Sequence, residues 1–311
     1  MTAKCSLITT VYNEEKSIVS FLESIYRQTR RPDEVVIVDA ESKDATQSII
    51  QRFIKDHPQF AVKLFIKKGN RSVGRNEAIR RSSHELIAAT DAGCFLDKSW
   101  IESIVEPFDK EVSIDVVSGW YQPIVETNWQ QSLAKTLNFK SENVNMATFL
   151  PSTRSMAFRK EAWNNVGGFD ERFSHNEDTP FALELRKKNK HFIFQPKAVV
   201  YWKLVNSYRA LYRTIWRYAY GDAEAHIFSS QYQIIFIFLS TVITLLVASF
   251  FLPILALFAA LCFFGYLNLP FWQSKSVNSI AELWQIPLIK LTIIAANTVG
   301  YIKGTIQSKT L

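Results

Sequence analysis

Ile87 to Asp97 reads I-A-A-T-D-A-G-C-F-L-D, an apolar run that leads straight into Asp91 and breaks at Gly93 two places later. A buried strand that ends in a carboxylate and then turns is how an open α/β sheet presents a charge at its crevice. A carboxylate there can hold a divalent cation against a substrate diphosphate, or it can merely cap the helix that follows. The flanking sequence has to decide between these two readings.

Upstream, Cys5 to Val11 is a short apolar run closing on polar residues, and it predicts the first strand. Asn13 is a good N-cap for a helix carrying Ile18, Phe21, Leu22 and Ile25 on one face, and Glu14 and Glu15 suit the positive end of its dipole. Glu34-V-V-I-V-D predicts a buried second strand ending in Asp39. Ser42 and Asp44 then open a helix with Ile49, Ile50 and Phe53 inward. Val62-K-L-F-I predicts a third strand, Ser72 to Arg81 a basic helix, and Glu85 to Thr90 the fourth strand. This alternation implies parallel pairing through right-handed crossovers, hence an α/β, doubly wound, mostly parallel sheet. In such a sheet Thr10, Tyr12, Asp39 and Asp91 all end on the edge that lines the ligand crevice. No G-x-G-x-x-G follows the first strand and no G-x-x-x-x-G-K-[ST] occurs, which removes the dinucleotide-binding and P-loop versions of the fold.

The chain has 311 residues and is 48% hydrophobic, but the apolar residues are unevenly spread. Up to about Ser230 charged and apolar residues mix as in a soluble domain. From Ile234 to Phe251 there is no charge, and a second run covers Ile254 to Leu269. Together they are long enough for two membrane spans of roughly 20 residues each, the second of them short. Ile286 to Ile302, with Lys290 and Asn297 inside it, reads as a third span, a re-entrant piece or an interfacial helix. Tyr208 to Tyr220 is amphipathic: Tyr212, Ile215, Trp216 and Ala219 share one face, and Arg209, Arg213 and Arg217 recur on another. These features divide the chain into a domain over 1–228, with an interfacial helix at 206–228, and a membrane region of two or three hydrophobic helices over 229–311. The net charge of +7 lies largely beside those segments, which fits anionic lipid headgroups on a cytoplasmic face rather than nucleic acid. No cleavable signal precedes the first strand, so the domain is expected to stay in the cytoplasm of a multi-pass protein of the cell membrane. Cys5, Cys94 and Cys262 share no metal spacing and cannot all pair, which suits a reducing compartment.

Thr10-V-Y-N-E-E, Val36-I-V-D-A-E-S-K-D-A-T, Gly74-R-N-E-A and Thr90-D-A-G, in that order, resemble a family 2 glycosyltransferase with the GT-A fold. The likeness continues through Pro151-S-T-R-S-M-A-F-R, Val166-G-G-F-D-E and Asn176-E-D and covers roughly the first 225 residues. The resemblance implies that Thr10, Tyr12 and Glu14 contact base and ribose and that Asp39 accepts a hydrogen bond from a uracil-type ring N–H. It implies that Arg71, Arg75 and Asn76 lie by the donor diphosphate and that Arg154 faces donor phosphates or acceptor. Asp91 aligns with the first aspartate of the family's D-x-D metal motif, whose third position here is Gly93. Mg2+ needs only one or two protein carboxylates beside substrate phosphates, so Asp91 alone can serve Mg2+ or Mn2+. Asp178, beside Glu177, aligns with the general base that an inverting transfer to a hydroxyl requires; the bland alternative is a helix cap. The expected partners are a nucleotide-sugar donor, a UDP-sugar in chemistry, a lipid-linked or glycan acceptor, and membrane lipids. Transfer to polyprenyl phosphate and a non-catalytic membrane scaffold are the rival readings.

Overall fold

Cys5–Val11 and Glu34–Asp39 are buried almost without interruption, as strands covered on both faces must be. The computed structural model describes residues 3–138, 141–145, 148–173, 175–274 and 279–308. The chain runs β1 Cys5–Val11, α1 Ile18–Tyr26, β2 Glu34–Asp39, α2 Thr46–Asp56, β3 Val62–Ile66, α3 Arg71–Arg81 and β4 Leu86–Ala89. It continues through β5 Cys94–Leu96, α4 Trp100–Lys110, β6 Val116–Ile124, α5 Asn128–Leu137, β7 Met156–Arg159, α6 Lys160–Asn165, α7 Asp178–Lys187 and β8 Phe192–Lys203. The helices α8 Tyr208–Glu224, α9 Ser229–Ala248, α10 Ile254–Leu267, α11 Leu269–Ser274 and α12 Glu282–Ser308 complete it.

The strands form one mixed, mostly parallel sheet in the order β3-β2-β1-β4-β7-β6-β8-β5. Alternate residues along the strands feed two cores. Leu7, Val35 and Ile37 pack with Phe21, Leu22, Phe53 and Trp100 on one face. Ile8, Val36 and Val38 join the cluster of Ile79, Phe158, Phe169 and Leu185 on the other. Register then sets the crevice. Val11 lies opposite Asp39, and Ile8 opposite Ala89, so the ends of β1, β2 and β4 share an edge. β7 is antiparallel to β4 with Met156 opposite Ala89, which brings the segment before β7 back to that same edge.

Two helix starts differ from the sequence expectation, for one reason. Asn13 does not cap α1, whose N-cap is Ser17; it adopts a left-handed conformation, and its Oδ1 accepts from the Lys43 amide at 2.8 Å. Ser42 and Asp44 likewise precede α2 rather than open it. The Asn13 amide donates to Ser42 Oγ at 2.9 Å, and the Glu14 and Glu15 amides donate to Thr46 Oγ1 and Asp44 Oδ2. The loops after β1 and β2 are laced to each other, so Asn13 and Ser42 bond a partner some 30 residues away, while Asp44 does this and also accepts from the Thr46 amide that opens α2, at 3.0 Å.

The chain divides into two compact units, Met1–Ile124 with Lys140–Lys203, and Val125–Phe139 with Leu204–Leu311. All eight strands belong to the first. In the second, Lys135 of α5 pairs with the buried Glu282 of α12 at 2.6 Å, and Ser132 donates to Gln285 at 2.8 Å. Among the described residues two helices are long and apolar enough to cross a membrane, Ser229–Ala248 and Glu282–Ser308. The expected second span is instead α10, of 14 residues. At 1.5 Å per residue it is about 21 Å long, short of a hydrocarbon core of roughly 30 Å. The third apolar segment lies within the 27-residue α12.

Candidate active site

One end of the crevice is built from β1 and β2. Thr10, half-buried, packs against α3 at Gly74, where an added Cβ would come within 2.6 Å of the threonine methyl. Only glycine lets α3 approach the strand this closely. Tyr12 follows with its ring 55% exposed. Glu14 is turned into its own loop, accepting from Ser17 Oγ. Asp39 is fully buried, and Glu41 in a left-handed conformation swings the Ser42 amide back to donate to Asp39 Oδ1 at 2.7 Å. Gln47 Nε2 donates to that same oxygen at 2.7 Å. Oδ2 is buried and has no hydrogen-bond partner among the described residues.

An ionic lattice occupies the other end. Asn70 caps α3 by accepting from the Val73 amide, and the first turn carries the exposed Arg71. One turn on, Arg75 is only 4% exposed; Nη1 donates to Glu177 Oε1 and Nη2 to Asp91 Oδ1, the latter at 2.8 Å. Asn76 is also buried, and each of its polar atoms is engaged. Oδ1 accepts from Trp163 Nε1 at 3.0 Å and the Phe169 amide at 2.9 Å, while Nδ2 donates to the Phe169 carbonyl and Glu171 Oε1. Asn76 thereby clamps the turn made by Gly167 and Gly168, both at positive φ. A Cβ on Gly168 would lie 2.9 Å from Asn76 Oδ1. The structure therefore brings Arg75 and Asn76 to the crevice with their donors directed at protein groups.

Asp91, Asp178 and Arg154 complete the site. Burial opposes charge on Asp91, but Arg75, Arg154 and Arg71 outweigh it and hold its carboxyl below the usual carboxylate range. Among the described residues its Oδ2 accepts no hydrogen bond, and it lies 4.0 Å from Arg154 Nε. Arg154 is held over the Trp202 ring at 4.7 Å and the Tyr121 ring at 5.4 Å. Asp178 is the first residue of α7 but does not cap it. Its Oδ2 accepts from Ser152 Oγ at 2.8 Å and the Thr153 amide at 3.2 Å, and among the described residues Oδ1 accepts none. Burial, then the Glu177 charge, push the Asp178 carboxyl above the ordinary range, against the pull of Arg75 and Arg154. Burial opposes the Arg75 charge too, but Glu177, Asp91 and Asp178 keep its guanidinium firmly protonated.

No cluster of three or more His, Cys, Asp or Glu side chains able to hold a metal exists among the described residues. A divalent cation still fits the donor set in one way. Asp91 has one carboxylate oxygen free of hydrogen bonds and a side chain 37% exposed, so it can supply a single ligand to an ion otherwise held by water and phosphate oxygens. Sequence reasoning missed Gln47, Ser152, Thr153, Tyr121 and Trp202. Ser152 and Thr153 lie within the Pro151-S-T-R-S stretch, which signals them; nothing local marks Gln47 or Trp202.

The model of glycosyl transferase family 2 matches residues 6–172, and that of glycosyl transferase family group 2 matches residues 108–299. The chain is 28% identical over 116 residues to the glycosyltransferase AglE of Haloferax volcanii, covering 37% of this chain and 38% of that one. It is 24% identical over 209 residues to the O-antigen chain rhamnosyltransferase RfbN of Salmonella typhimurium, covering 63% and 65%. The chain thus spans less than two thirds of either relative. Among solved structures, the mannosyltransferase PcManGT of Pyrobaculum calidifontis, in complex with GDP-Man and Mn2+, matches with a TM-score of 0.61 at 19% identity. That match covers 99% of this chain and 88% of that one, and shows a shared fold.

Proposed function

Because this chain belongs to glycosyl transferase family 2, we propose that it is an inverting enzyme moving a hexose-type sugar from a nucleotide diphosphate donor to a hydroxyl of a lipid-linked or membrane-proximal glycan. The observation that carries this reading is Asp178. One of its oxygens is held by Ser152 and Thr153, the other is unbonded, and its surroundings raise its affinity for a proton. As the acceptor oxygen forms its bond to the anomeric carbon, its proton passes to Asp178. The bond from that carbon to the donor diphosphate breaks, and the electron pair leaves with the diphosphate. A base held above the ordinary carboxylate range is better matched to that task at neutral pH.

Asp91 would hold Mg2+ or Mn2+, which when bound supplies positive charge to the leaving diphosphate. Arg71, exposed at the start of α3, and Arg154, which lies beside Asp91 over two aromatic rings, would bring guanidinium charge to the same phosphates. Asp39, Thr10 and the exposed Tyr12 ring suit a nucleobase and ribose. The C-terminal unit would keep the enzyme at the cytoplasmic face of a membrane. In support, α9 and α12 are long and apolar enough to span, and Arg209, Arg213 and Arg217 are exposed along α8. The name of the rhamnosyltransferase relative favours a cell-envelope glycan as acceptor.

The test is nucleotide release from a panel of nucleotide sugars, using detergent-solubilised protein, native lipid extract and Mn2+. Release from one donor class is expected from the wild type. Asp178→Asn should bind the nucleotide and release almost none. Full turnover in that variant would remove Asp178 from the role.

A further inference from the structure

α12 is long and apolar enough to span a membrane, yet the helices packed along it are not. At its N-terminal end it meets α5, through Lys135 with the buried Glu282 and Ser132 with Gln285. Further on it meets α8 at backbone range. An added Cβ would lie 2.5 Å from the Trp216 carbonyl oxygen at Gly300, and 2.6 Å from that of Tyr220 at Gly304. The two approaches advance in the same sense on both helices, so α8 and α12 run parallel, and Tyr220 Oη donates to Gln307 further along at 2.8 Å. A crossing α12 would take α8 into the hydrocarbon with it. Arg209, Arg213 and Arg217 are exposed along α8, and Asp222 and Glu224 lie in its last turn. Charges at that depth are costly, and exposed arginines there would face lipid. The remaining face of α12 is apolar: Trp284, Leu288, Leu291, Val299, Ile302 and Ile306 are exposed at helical spacing along one side. A helix with one face on charged, amphipathic neighbours and the other an apolar stripe is built to lie in the interface plane.

α9 behaves otherwise. Its first turn is held to α12, with Tyr232 stacked on Tyr301 at 4.0 Å, and among the described residues Tyr232 is the one buried residue of this helix. The rest of α9 therefore leaves α8 and α12 and stands clear. α10 returns beside it, the Phe238 ring lying 4.5 Å from that of Tyr266, and Lys290 Nζ of α12 lies 5.0 Å from the Tyr266 ring. Both feet of the α9–α10 hairpin thus rest on α12, about 16 Å apart along its axis. The tip of the hairpin, Phe250 to Leu252, is exposed and apolar. A tip of that kind ends inside the hydrocarbon, so the 14 residues of α10 suffice for the return.

We infer that α5, α8 and α12 lie in the plane of the membrane surface as one interfacial unit, and that the α9–α10 hairpin is the element that enters the bilayer. The apolar stripe of α12 then faces the boundary between lipid headgroups and acyl chains. Both ends of α12 stay on the side from which β6 and β8 deliver α5 and α8. This rests on the membrane association proposed above.

The experiment is labelling of the full chain with a membrane-impermeant maleimide, in sealed vesicles of both orientations. Cys262→Ala removes the α10 thiol, and Cys5 and Cys94 are buried. Single cysteines are then placed by Val112→Cys in the sheet-bearing unit and by Ile280→Cys and Ser308→Cys at the two ends of α12, Val112 and Ile280 being exposed. All three should label in the same vesicle orientation and lose labelling in the other. A nitroxide on Leu291→Cys should report a depth of roughly 5–10 Å rather than the bilayer centre. Labelling of either end of α12 from the side opposite Val112→Cys would show that α12 crosses and would overturn the inference, as would a central depth at Leu291. Release of the wild-type chain from the vesicles by alkaline carbonate would instead remove the membrane association on which it rests.

Discussion

β2 carries a carboxylate at each end, and the two are treated differently. Glu34, at the start, uses both oxygens. Oε1 accepts from Ser6 Oγ and the Ser83 amide, and Oε2 from Lys63 Nζ at 2.6 Å and Ser83 Oγ at 3.1 Å. Burial works against its charge, but the hydrogen bonds from Lys63, Ser6 and Ser83 hold its carboxyl down at about 2. Asp39, at the crevice end, is as deeply buried yet leaves one oxygen unused. A carboxylate bonded on both sides is architecture. One bonded on a single side is held in place with capacity left for a ligand. The distinction extends along the crevice. Asn76 is fully engaged by protein groups, whereas Asp91 and Asp178 each keep an oxygen that accepts no hydrogen bond from the described residues.

The largest expected effect breaks both kinds of group at once. Arg75→Ala would strand the buried Glu177 and free Asp91, costing about 3–5 kcal/mol of stability and with it the activity. Denaturant titration reads the loss, and a variant as stable as wild type would show that Glu177 does not depend on its partner.

Asp178→Asn should spare stability and lower turnover by roughly 10²–10⁴-fold. A protonated Asp178 cannot take a proton, and its pKa is raised. The acid limb of kcat/KM should therefore lie above the ordinary aspartate value of 3.8, with activity falling as pH drops through it. A limb at or below that value would contradict the geometry.

Asn76→Ala should do the converse, costing about 2–3 kcal/mol through the unpaired Trp163 and Phe169 groups. Nucleotide affinity in the folded protein should stay near wild type. A selective loss of affinity would move Asn76 to the ligand-bearing class.

Glu34→Gln gives the smallest effect, on the order of 1–2 kcal/mol because Lys63 is 42% exposed and partly screened. The folded-state pKa is depressed, so its contribution is complete above the unbound value of 4.5 and disappears as pH falls from there to about 2. Thermal melts of wild type and variant should converge across that window.

Much of this was legible without coordinates. β1, β2 and β3 announce themselves as short apolar runs, and Asp39 and Asp91 stand at strand ends where a parallel sheet collects its ligand groups. Asp178 was visible from Asn176-E-D before Thr179-Pro180, and α7 starts there. Asn13 and Ser42 read as helix starts in the sequence but bond each other's loops instead, because local propensity cannot see a partner on another loop.

The amino-acid sequence by itself determined which residues carry charge and which segments are apolar with period two or continuously so, and hence the layers of the sheet, the shared edge and the first of the two long apolar helices. Only the tertiary structure decided how each polar atom is used. Arg75 meets Glu177 across 102 positions and Asn76 meets Phe169 across 93. Hydrogen-bond saturation depends on such distant pairs. No local pattern encodes them, and they separate the carboxylates that build the crevice from those left open to a ligand.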